Sequence, residues 1–263
     1  MKNEILISES ELLKCEPIVL SLKENETVQI NISSNDTSYI FVRDFSIGSI
    51  LNIHLKENAK LQLSLLAKNV FDKAEINVDL EKGAFFASYF ADFSKDKEKL
   101  KVTIKLNGEG SSAYWHLASL TANKDNKEFN ININHNAGHT IALSNNFGVS
   151  KDESKLIFSG KSAIYKGSHG SHTRQNSKIM VFDPSCDAIA RPVLKIDEKD
   201  IEASHGAVVG RIPEEHLFYL TSRGLDESQA KRLITYGYLK PITRGFIDES
   251  VRNEIVELIE GRM

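Results

Sequence analysis

Short segments in which apolar and polar residues strictly alternate recur along most of the chain, and they constrain the fold more than any other feature. The clearest example is Val28–Ile32, where Val and Ile alternate with Gln and Asn. The same alternation recurs at residues 51–55, 76–80, 102–106, 129–133 and 193–196. Alternation over four to six residues is typical of strands with one buried and one solvent-exposed face. Turn-forming residues separate these segments, so the pattern predicts a mainly β protein.

The strand-like segments are spaced almost regularly along the chain. Isoleucines at comparable positions are 23 to 28 residues apart, at Ile53, Ile76, Ile104, Ile131 and Ile157. A repeat of short strands without intervening helices predicts the stacked turns of a β-solenoid, also called a β-helix. A β-sandwich also contains many short strands joined by turns and remains the alternative, because the period drifts.

Helical periodicity replaces the alternation after about Arg211. Asp226 and Gln229 fit a capping box at the start of one helix, and another helix is predicted from about Asp248. The apolar stripe of this last helix comprises Val251, Ile255, Leu258 and Ile259. The sequence therefore predicts a β-helix core over residues 1–210 and a C-terminal helical region over residues 211–263.

Composition excludes several classes of function. Thirty-three Lys and Arg against 36 Asp and Glu give a net charge of -3, which argues against a protein that binds nucleic-acid phosphates. No apolar run approaches the roughly 18–20 residues needed to span a membrane, and the acidic N-terminus is unlike a signal peptide. Two cysteines, Cys15 and Cys186, cannot form a disulfide framework. We therefore expect a soluble cytoplasmic protein.

Two segments superficially resemble nucleotide-binding loops. Residues 108–113 match G-x-G-x-x-A, but strand-like sequence follows where the phosphate site requires a helix N-terminus. Gly160-Lys161-Ser162 resembles the end of a phosphate loop, but Lys155 occupies the position of the required first glycine. We expect no intrinsic ATP site.

The histidines do not form an evident metal site. His135 and His139 would share one face of a strand but lie roughly 13 Å apart, too far to share a metal. His169 and His172 lie in the segment Gly-Ser-His-Gly-Ser-His, which is more typical of a polar turn.

Cys186 and His205 are the two candidate metal ligands. A thiolate beside an imidazole suits zinc, copper or an iron–sulfur cluster. The two residues are 19 positions apart, close to one predicted turn, so they could be neighbours on adjacent turns. One Cys and one His do not fill a coordination shell, so further ligands would come from another chain or a thiol carrier. An inert buried cysteine remains the alternative.

The last hundred or so residues carry an ordered series of motifs. These are Arg191-Pro192-Val193-Leu194-Lys195-Ile196, then Ala203-Ser204-His205-Gly206-Ala207-Val208-Val209-Gly210, and then Leu217-Phe218-Tyr219-Leu220-Thr221-Ser222-Arg223-Gly224. This series resembles the SufB/SufD family of iron–sulfur cluster assembly scaffolds. The likeness is good over about residues 130–240 and is limited to strand texture before that.

The resemblance implies a right-handed parallel β-helix core and a C-terminal helical region that docks a SufC-type ATPase. Its implied partners are this ATPase, a SufB-like subunit or a second copy of the chain, and a sulfur donor system; no nucleic acid or membrane is implied. The implied cargo is a transient iron–sulfur cluster held at the interface between two cores. The helical domain that precedes the core in this family is expected to be absent, because strand texture begins by about Val28.

The resemblance also assigns residues. Cys186 looks like the cluster cysteine of SufB, and His205 looks like the interface histidine of SufD. Gly206 stands where SufB carries an acidic residue, which favours a SufD-like subunit. The residues expected to contact the ATPase are Leu217, Phe218, Tyr219, Arg223, Leu233 and Tyr238.

The residue patterns and the resemblance together leave three candidate functions. The first is a non-enzymatic scaffold subunit that contributes residues to cluster assembly. The second is a structural adaptor of the same complex with no cluster ligands of its own. The third is a carbohydrate-active β-helix enzyme. It is disfavoured because such enzymes are expected to be secreted, whereas the N-terminus is unlike a signal peptide.

Overall fold

The computed structural model describes residues 17–263, which form fifteen strands followed by three α-helices. The strands are β1 Ile18–Ser21, β2 Thr27–Ile32, β3 Thr37–Asp44, β4 Ile50–Leu55, β5 Lys60–Ala67, β6 Ala74–Leu80, β7 Phe85–Asp92, β8 Lys97–Leu106, β9 Ser112–Thr121, β10 Asn126–His135, β11 Ile141–Ser150, β12 Lys155–Ile164, β13 Ser171–Val181, β14 Asp187–Ile196 and β15 Ile201–Arg211. The helices are α1 Glu214–Ser222, α2 Glu227–Leu239 and α3 Glu249–Glu260, with a 3₁₀ segment at Lys240–Gly245. Cys15 lies outside the described residues.

The strands form two parallel sheets wound as a β-helix. The odd-numbered strands make an eight-stranded sheet, here called sheet A, and the even-numbered strands make a seven-stranded sheet, here called sheet B. Each inner strand of the two sheets pairs in parallel with the strands two positions before and after it in the chain. This connectivity confirms the predicted solenoid and excludes the sandwich, whose sheets are antiparallel.

The isoleucine spacing correctly indicated the repeat but not the register. Ile53 pairs with Val78 rather than Ile76, and Ile104 pairs with Ile133 rather than Ile131. The true offset between paired residues grows from 23 residues between β2 and β4 to 30 residues between β13 and β15. The corners keep four to six residues throughout, whereas the strands lengthen from four to eight residues in β1 to β7 to ten or eleven in β8 to β15, so a fixed period cannot describe all turns.

A single apolar core fills the lumen, the space enclosed by the two sheets. Alternate residues of each strand point inward and stack on the equivalent residues of the next turn. The largest lumen side chains are aromatic: Phe90 contacts both Trp115 and Phe129 edge-on, at ring-centroid distances of 6.3 Å. These contacts tie sheet A to sheet B.

A second apolar layer covers the outer face of sheet A. The helical region packs there, with Phe246 edge-on against Phe41 at 5.9 Å. Gly245 lies so close to the sheet that a Cβ atom at this position would be 1.9 Å from Tyr89 Cγ. The Gly245 carbonyl accepts hydrogen bonds from the side chains of Gln62, at 2.7 Å, and Ser64. The close approach therefore requires glycine.

The predicted helix signals are confirmed. Asp226 accepts a hydrogen bond from the Gln229 backbone at 2.8 Å, and the Gln229 side chain completes the capping box. Asp248 caps α3, whose residues Val251, Ile255 and Ile259 are buried. Within residues 17–263 the first strand starts at Ile18, in agreement with strand texture that was expected by about Val28.

One fully buried ionic cluster interrupts the apolar lumen where sheet A turns into sheet B. Lys127 Nζ lies 2.7 Å from Asp92 Oδ2, 2.9 Å from the Ser94 carbonyl and 3.6 Å from Glu98 Oε2. The pKa of Glu98 is raised, mainly because the carboxyl is buried and also because the Asp92 carboxylate lies nearby. The lysine is stabilised by these partners, since an unpaired buried ammonium would be very costly.

Candidate functional site

The β-helix ends at two strands that are each paired on one side only. Within the described residues, β14 pairs only with β12, and β15 pairs only with β13. These two strands are here called the open end. They expose large apolar side chains beside free backbone groups: Val193 is 49% exposed, Val208 57% and Val209 44%. Such an edge favours pairing with another polypeptide.

His205 lies near the middle of β15. It pairs in register with Gln175, a buried lumen residue that pairs with Ser144, which in turn pairs with Trp115. Paired residues of parallel strands share a face, so His205 belongs to the same inward column. His205 is nevertheless exposed, because no further turn covers it. The imidazole therefore stands at the mouth of the lumen.

Cys186 lies at a corner of the same turn. It is half-buried, and its Sγ is 3.5 Å from the Asp152 carbonyl, which also accepts a hydrogen bond from Ser185 Oγ at 2.5 Å. A cavity of about 350 Å³ lies beside this corner, between Asp152 and Lys231 of α2.

The structure does not bring Cys186 and His205 together. Cys186 precedes β14 of sheet B, whereas His205 is in sheet A, six residues before the end of β15. At roughly 3.3 Å per residue, the six positions from His205 to the end of β15, the end of the strand nearer the corner of Cys186, correspond to about 20 Å. A turn here has about 30 residues rather than 19, so the 19 residues lead from the corner before β14 to the middle of β15 and do not complete a turn.

A polar lumen lies directly beneath the open end, and it was not predicted from the sequence. The inward residues of β13 include Thr173, Gln175 and Ser177, all buried. Gln175 Nε2 donates to Ser162 Oγ at 2.8 Å and to the Val193 carbonyl at 3.1 Å, which links β13 to the edge strand β14. The sequence did contain a signal for this polar lumen, since every second residue from 171 to 177 is small or polar, and these are the residues that point inward.

Four of the other histidines lie at or next to the opposite corners, between β10 and β11 and between β12 and β13. His139 and His169 contact each other edge-on at 4.9 Å, and His172 Nδ1 lies 3.1 Å from Glu202 Oε2. His135 is buried, which lowers its pKa to about 4, and its Nδ1 lies 2.7 Å from Thr140 Oγ1. Among residues 17–263, no group of three or more His, Cys, Asp or Glu side chains is arranged to hold a metal ion.

The two segments that resemble nucleotide loops have other positions in the fold. Gly160-Lys161-Ser162 lies within β12, and residues 108–113 span the end of a corner and the first two residues of β9. Neither segment opens a helix.

The predicted partner-binding residues fall into two groups. Helix α1 buries none of its residues; Phe218 is 74% exposed, Tyr219 is 57% exposed, and Arg223 lies over the Tyr219 ring at 5.3 Å. Leu217 is half-buried, while Leu233 of α2 is exposed. Tyr238 differs, because it packs edge-on against Phe147 of sheet A at 5.4 Å and so attaches α2 to the β-helix.

No helix of the described part of the chain is both long and apolar enough to cross a membrane.

Comparison with known proteins points to one family. The family model described as "SUF system FeS cluster assembly, SufBD core domain" matches residues 6–238. The chain is 30% identical over 161 residues to the iron–sulfur cluster assembly protein SufD of Bacillus subtilis (strain 168), covering 61% of this chain and 37% of that protein. It is 22% identical over 240 residues to SufD of Escherichia coli (strain K12), covering 91% and 56% respectively. The chain thus spans about half or less of the length of these relatives.

Proposed function

The chain belongs to the SufB/SufD family of the SUF system and is SufD-like, and on this premise we propose that it is a non-enzymatic scaffold subunit of an iron–sulfur cluster assembly complex. The cluster is its cargo. The observation that carries the proposal is the position of His205, exposed at the mouth of the lumen on an edge strand that a second chain can reach.

His205 and Cys186 are the proposed cluster ligands of this chain. A neutral imidazole and a thiolate are both known ligand types for iron–sulfur clusters. Because about 20 Å or more separates the two within one chain, each would complete its coordination with groups from the neighbouring subunit. Ligands divided between two chains make cluster binding depend on association, which suits a scaffold that must release its cargo.

Helix α1 and the start of α2 are the proposed docking surface for a SufC-like ATPase. Exposed Phe218, Tyr219 and Leu233 provide an apolar patch, and Arg223 adds a charge beside it. Aromatic and Arg side chains are enriched at the centres of protein interfaces.

Replacing His205 tests the ligand proposal. Because its side chain is exposed, His205→Ala should leave folding and complex formation intact but reduce the iron and sulfide bound after anaerobic reconstitution. His54→Ala is the matched control, since His54 is a partly exposed histidine on sheet B away from the open end. Equal iron and sulfide content in the wild type and both variants would contradict the role of His205.

The docking proposal is best tested with point substitutions. Deleting residues 211–263 would uncover the apolar face of sheet A, so loss of binding by that variant would be ambiguous. Phe218→Ala combined with Tyr219→Ala removes only exposed side chains and should weaken binding to the ATPase while the melting temperature stays unchanged. Undiminished binding by this double variant would contradict the docking surface.

A structural adaptor with no ligands of its own is the second candidate. The separation of Cys186 and His205 favours it, because these two residues of one chain are too far apart to bind the same cluster. The double variant Cys186→Ser, His205→Ala distinguishes the two functions. If the assembled complex shows the same cluster absorption with this variant as with the wild type, the adaptor is correct.

A further inference from the structure

The fully buried cluster around Lys127 contains one cation and two carboxyl groups. The side chains of Lys127 of β10, Asp92 of β7 and Glu98 of β8 are all 0% exposed. Glu98 and Lys127 are paired residues of neighbouring strands, and Asp92 is the last residue of β7, just before the corner that leads into β8. If all three groups were ionised, one negative charge would remain uncompensated in a closed core, which is very costly.

The Lys127 ammonium has no proton left for Glu98. Lys127 Nζ donates at 2.7 Å to Asp92 Oδ2, at 2.9 Å to the Ser94 carbonyl and at 3.0 Å to Ser94 Oγ. A lysine ammonium carries three N–H donors, so these three hydrogen bonds use all of them. Glu98 Oε2 lies further away, at 3.6 Å from Nζ. Lys127 therefore neutralises Asp92 in preference to Glu98.

Asp92 has the surroundings of an ionised carboxylate. Besides the bond from Lys127, it accepts hydrogen bonds from the Ser94 backbone N–H at 3.3 Å, from Ser94 Oγ, and from Ser119 Oγ at 2.5 Å. Hydrogen bonds donated to a carboxylate favour its charged form. Asp92 is thus the member of the cluster that carries the negative charge.

Glu98 has the opposite surroundings. Both of its carboxyl oxygens are buried and have no hydrogen-bond partner within the described part of the chain. Burial, and then repulsion by the Asp92 carboxylate, raise the pKa of Glu98 to about 9, although the attraction of Lys127 acts in the other direction. An ionised Glu98 would be a desolvated carboxylate without a donor, and protonation removes that charge.

The other cations around this corner are exposed or already paired. Arg262, which follows α3, pairs with Asp125 of the corner before β10. The exposed cations closest to Glu98 in the chain are Lys95, Lys97 and Lys99. The last two alternate with Glu98 along β8, so their side chains leave the opposite face of the strand. They do not replace the donor that Glu98 lacks.

The remaining acidic groups at this level only add negative charge. Asp72 and Glu98 each lie two residues before the pair Ala74–Leu100, so Asp72 is at the same level on the preceding turn. Asp96, at the corner that leads into β8, is exposed. Further carboxylates nearby favour the neutral form of Glu98.

We infer that Glu98 is a neutral carboxylic acid in the folded protein at neutral pH, so that the lumen binds one proton beside the Lys127–Asp92 ion pair. Unfolding exposes Glu98 to water, and the carboxyl then releases this proton. The core of the β-helix is thus linked to the proton concentration, and its stability falls as the pH rises.

The first experiment observes Glu98 directly, in the full chain labelled with ¹³C at the Glu side-chain carboxyls. One resonance should keep the chemical shift of a protonated acid at pH 7 and titrate near pH 9. Glu98→Gln should remove this resonance. If every Glu carboxyl of the wild type is ionised at pH 7, the inference is wrong. Should Glu98→Gln fail to fold, the wild-type titration decides alone.

The second experiment measures urea denaturation between pH 5.5 and 8.5. Because the pKa of Glu98 is raised in the folded state, the stability contributed by the bound proton is complete below about pH 4.5 and is lost as the pH rises towards 9. Gln resembles the neutral acid in shape but has no proton to release. The unfolding equilibrium constant of the wild type should therefore rise, relative to that of Glu98→Gln, by up to about tenfold per pH unit.

Glu128→Gln is the matched control. Glu128 is on the outer face of sheet B, where hydrogen bonds from Asn130 and Lys99 lower its pKa. Its carboxylate is ionised throughout this pH range in the folded and in the unfolded state, so this variant should show the same pH dependence as the wild type. If the profile of Glu98→Gln is also parallel to that of the wild type, Glu98 holds no proton and the inference is overturned.

Discussion

Sheet A and sheet B enclose the same lumen, but their outer faces have different surroundings. The outer face of sheet B is in contact with solvent, and its strands alternate, as in β6, where buried and half-buried residues follow each other strictly. The outer face of sheet A lies under the helical region from β3 to β11, and all eight residues of β7 are buried. A solenoid wall therefore carries a period-two pattern only where one of its faces is wet.

The largest expected effect comes from breaking the second layer on sheet A. Phe246→Ala should lower the free energy of unfolding by about 3–5 kcal/mol, because a buried aromatic side chain is replaced by a cavity. Phe218→Ala, at an exposed Phe of the same helical region, should change it by less than about 0.5 kcal/mol. Urea denaturation measures both, and similar values for the two variants would show that the helical region does not stabilise sheet A.

Acid should weaken the covered wall through His116. Its ring stacks on Tyr89 at 4.8 Å beneath the helical region, and burial lowers its pKa to about 4. The neutral ring is thus favoured in the folded state, so this contribution to stability is complete above about pH 6.5 and is lost as the pH falls towards 4.

By pH 4, protonation of His116 in the unfolded state should have lowered the free energy of unfolding by up to about 3 kcal/mol. His116→Gln cannot titrate, so its unfolding free energy should fall less than that of the wild type between pH 6.5 and 4. Parallel pH profiles for the two proteins would contradict the assignment.

A smaller effect is expected where the helical region touches sheet A most closely. Gly245→Ala introduces a methyl group that meets the Tyr89 ring, and it should cost about 1–3 kcal/mol through overpacking. Gly237→Ala, at a helix position with no atom within 4 Å, should stabilise the protein by up to about 1 kcal/mol. Thermal denaturation that shows the same sign for both substitutions would refute the close packing at Gly245.

The smallest effect is expected on the outer face of sheet B. Asn132→Ala should change the free energy of unfolding by less than about 0.5 kcal/mol, because Asn132 is only half-buried on the wet wall. A loss above about 1 kcal/mol in urea denaturation would indicate that this wall is also covered.

Every alternating segment recognised in the sequence belongs to sheet B. Strands β5 and β7 of sheet A were not recognised, because both of their faces are buried and their residues are apolar without a period. Strands β11 and β13 were not recognised because many of their inward residues are small or polar. The repeat was nevertheless evident, since one strand per turn is enough to reveal it. The helix caps at Asp226 and Asp248 were predictable because capping is a local interaction.

The candidate site was less predictable than the fold. The motif around His205 was visible, but its position in the lumen column depends on the pairing of β13 with β15. The sequence separation of Cys186 and His205 suggested neighbours, whereas the chain between them includes all of β14 and leaves His205 in the middle of β15, away from the corner of Cys186. The buried carboxyl beside Lys127 also became visible only when residues 29 or so apart were paired.

Local interactions allowed the sequence alone to predict the class of fold and the helices that follow the strands, while the candidate ligands were proposed from the chemistry of Cys and His and from the family resemblance. Alternation, capping and turn chemistry act between residues close in the chain, so they can be recognised without coordinates. The tertiary structure decided which residues stack from turn to turn, which wall is covered and which strands remain unpaired. These properties depend on the lengths of whole turns, which grow along the chain because the strands lengthen, and each added residue shifts every later contact between turns.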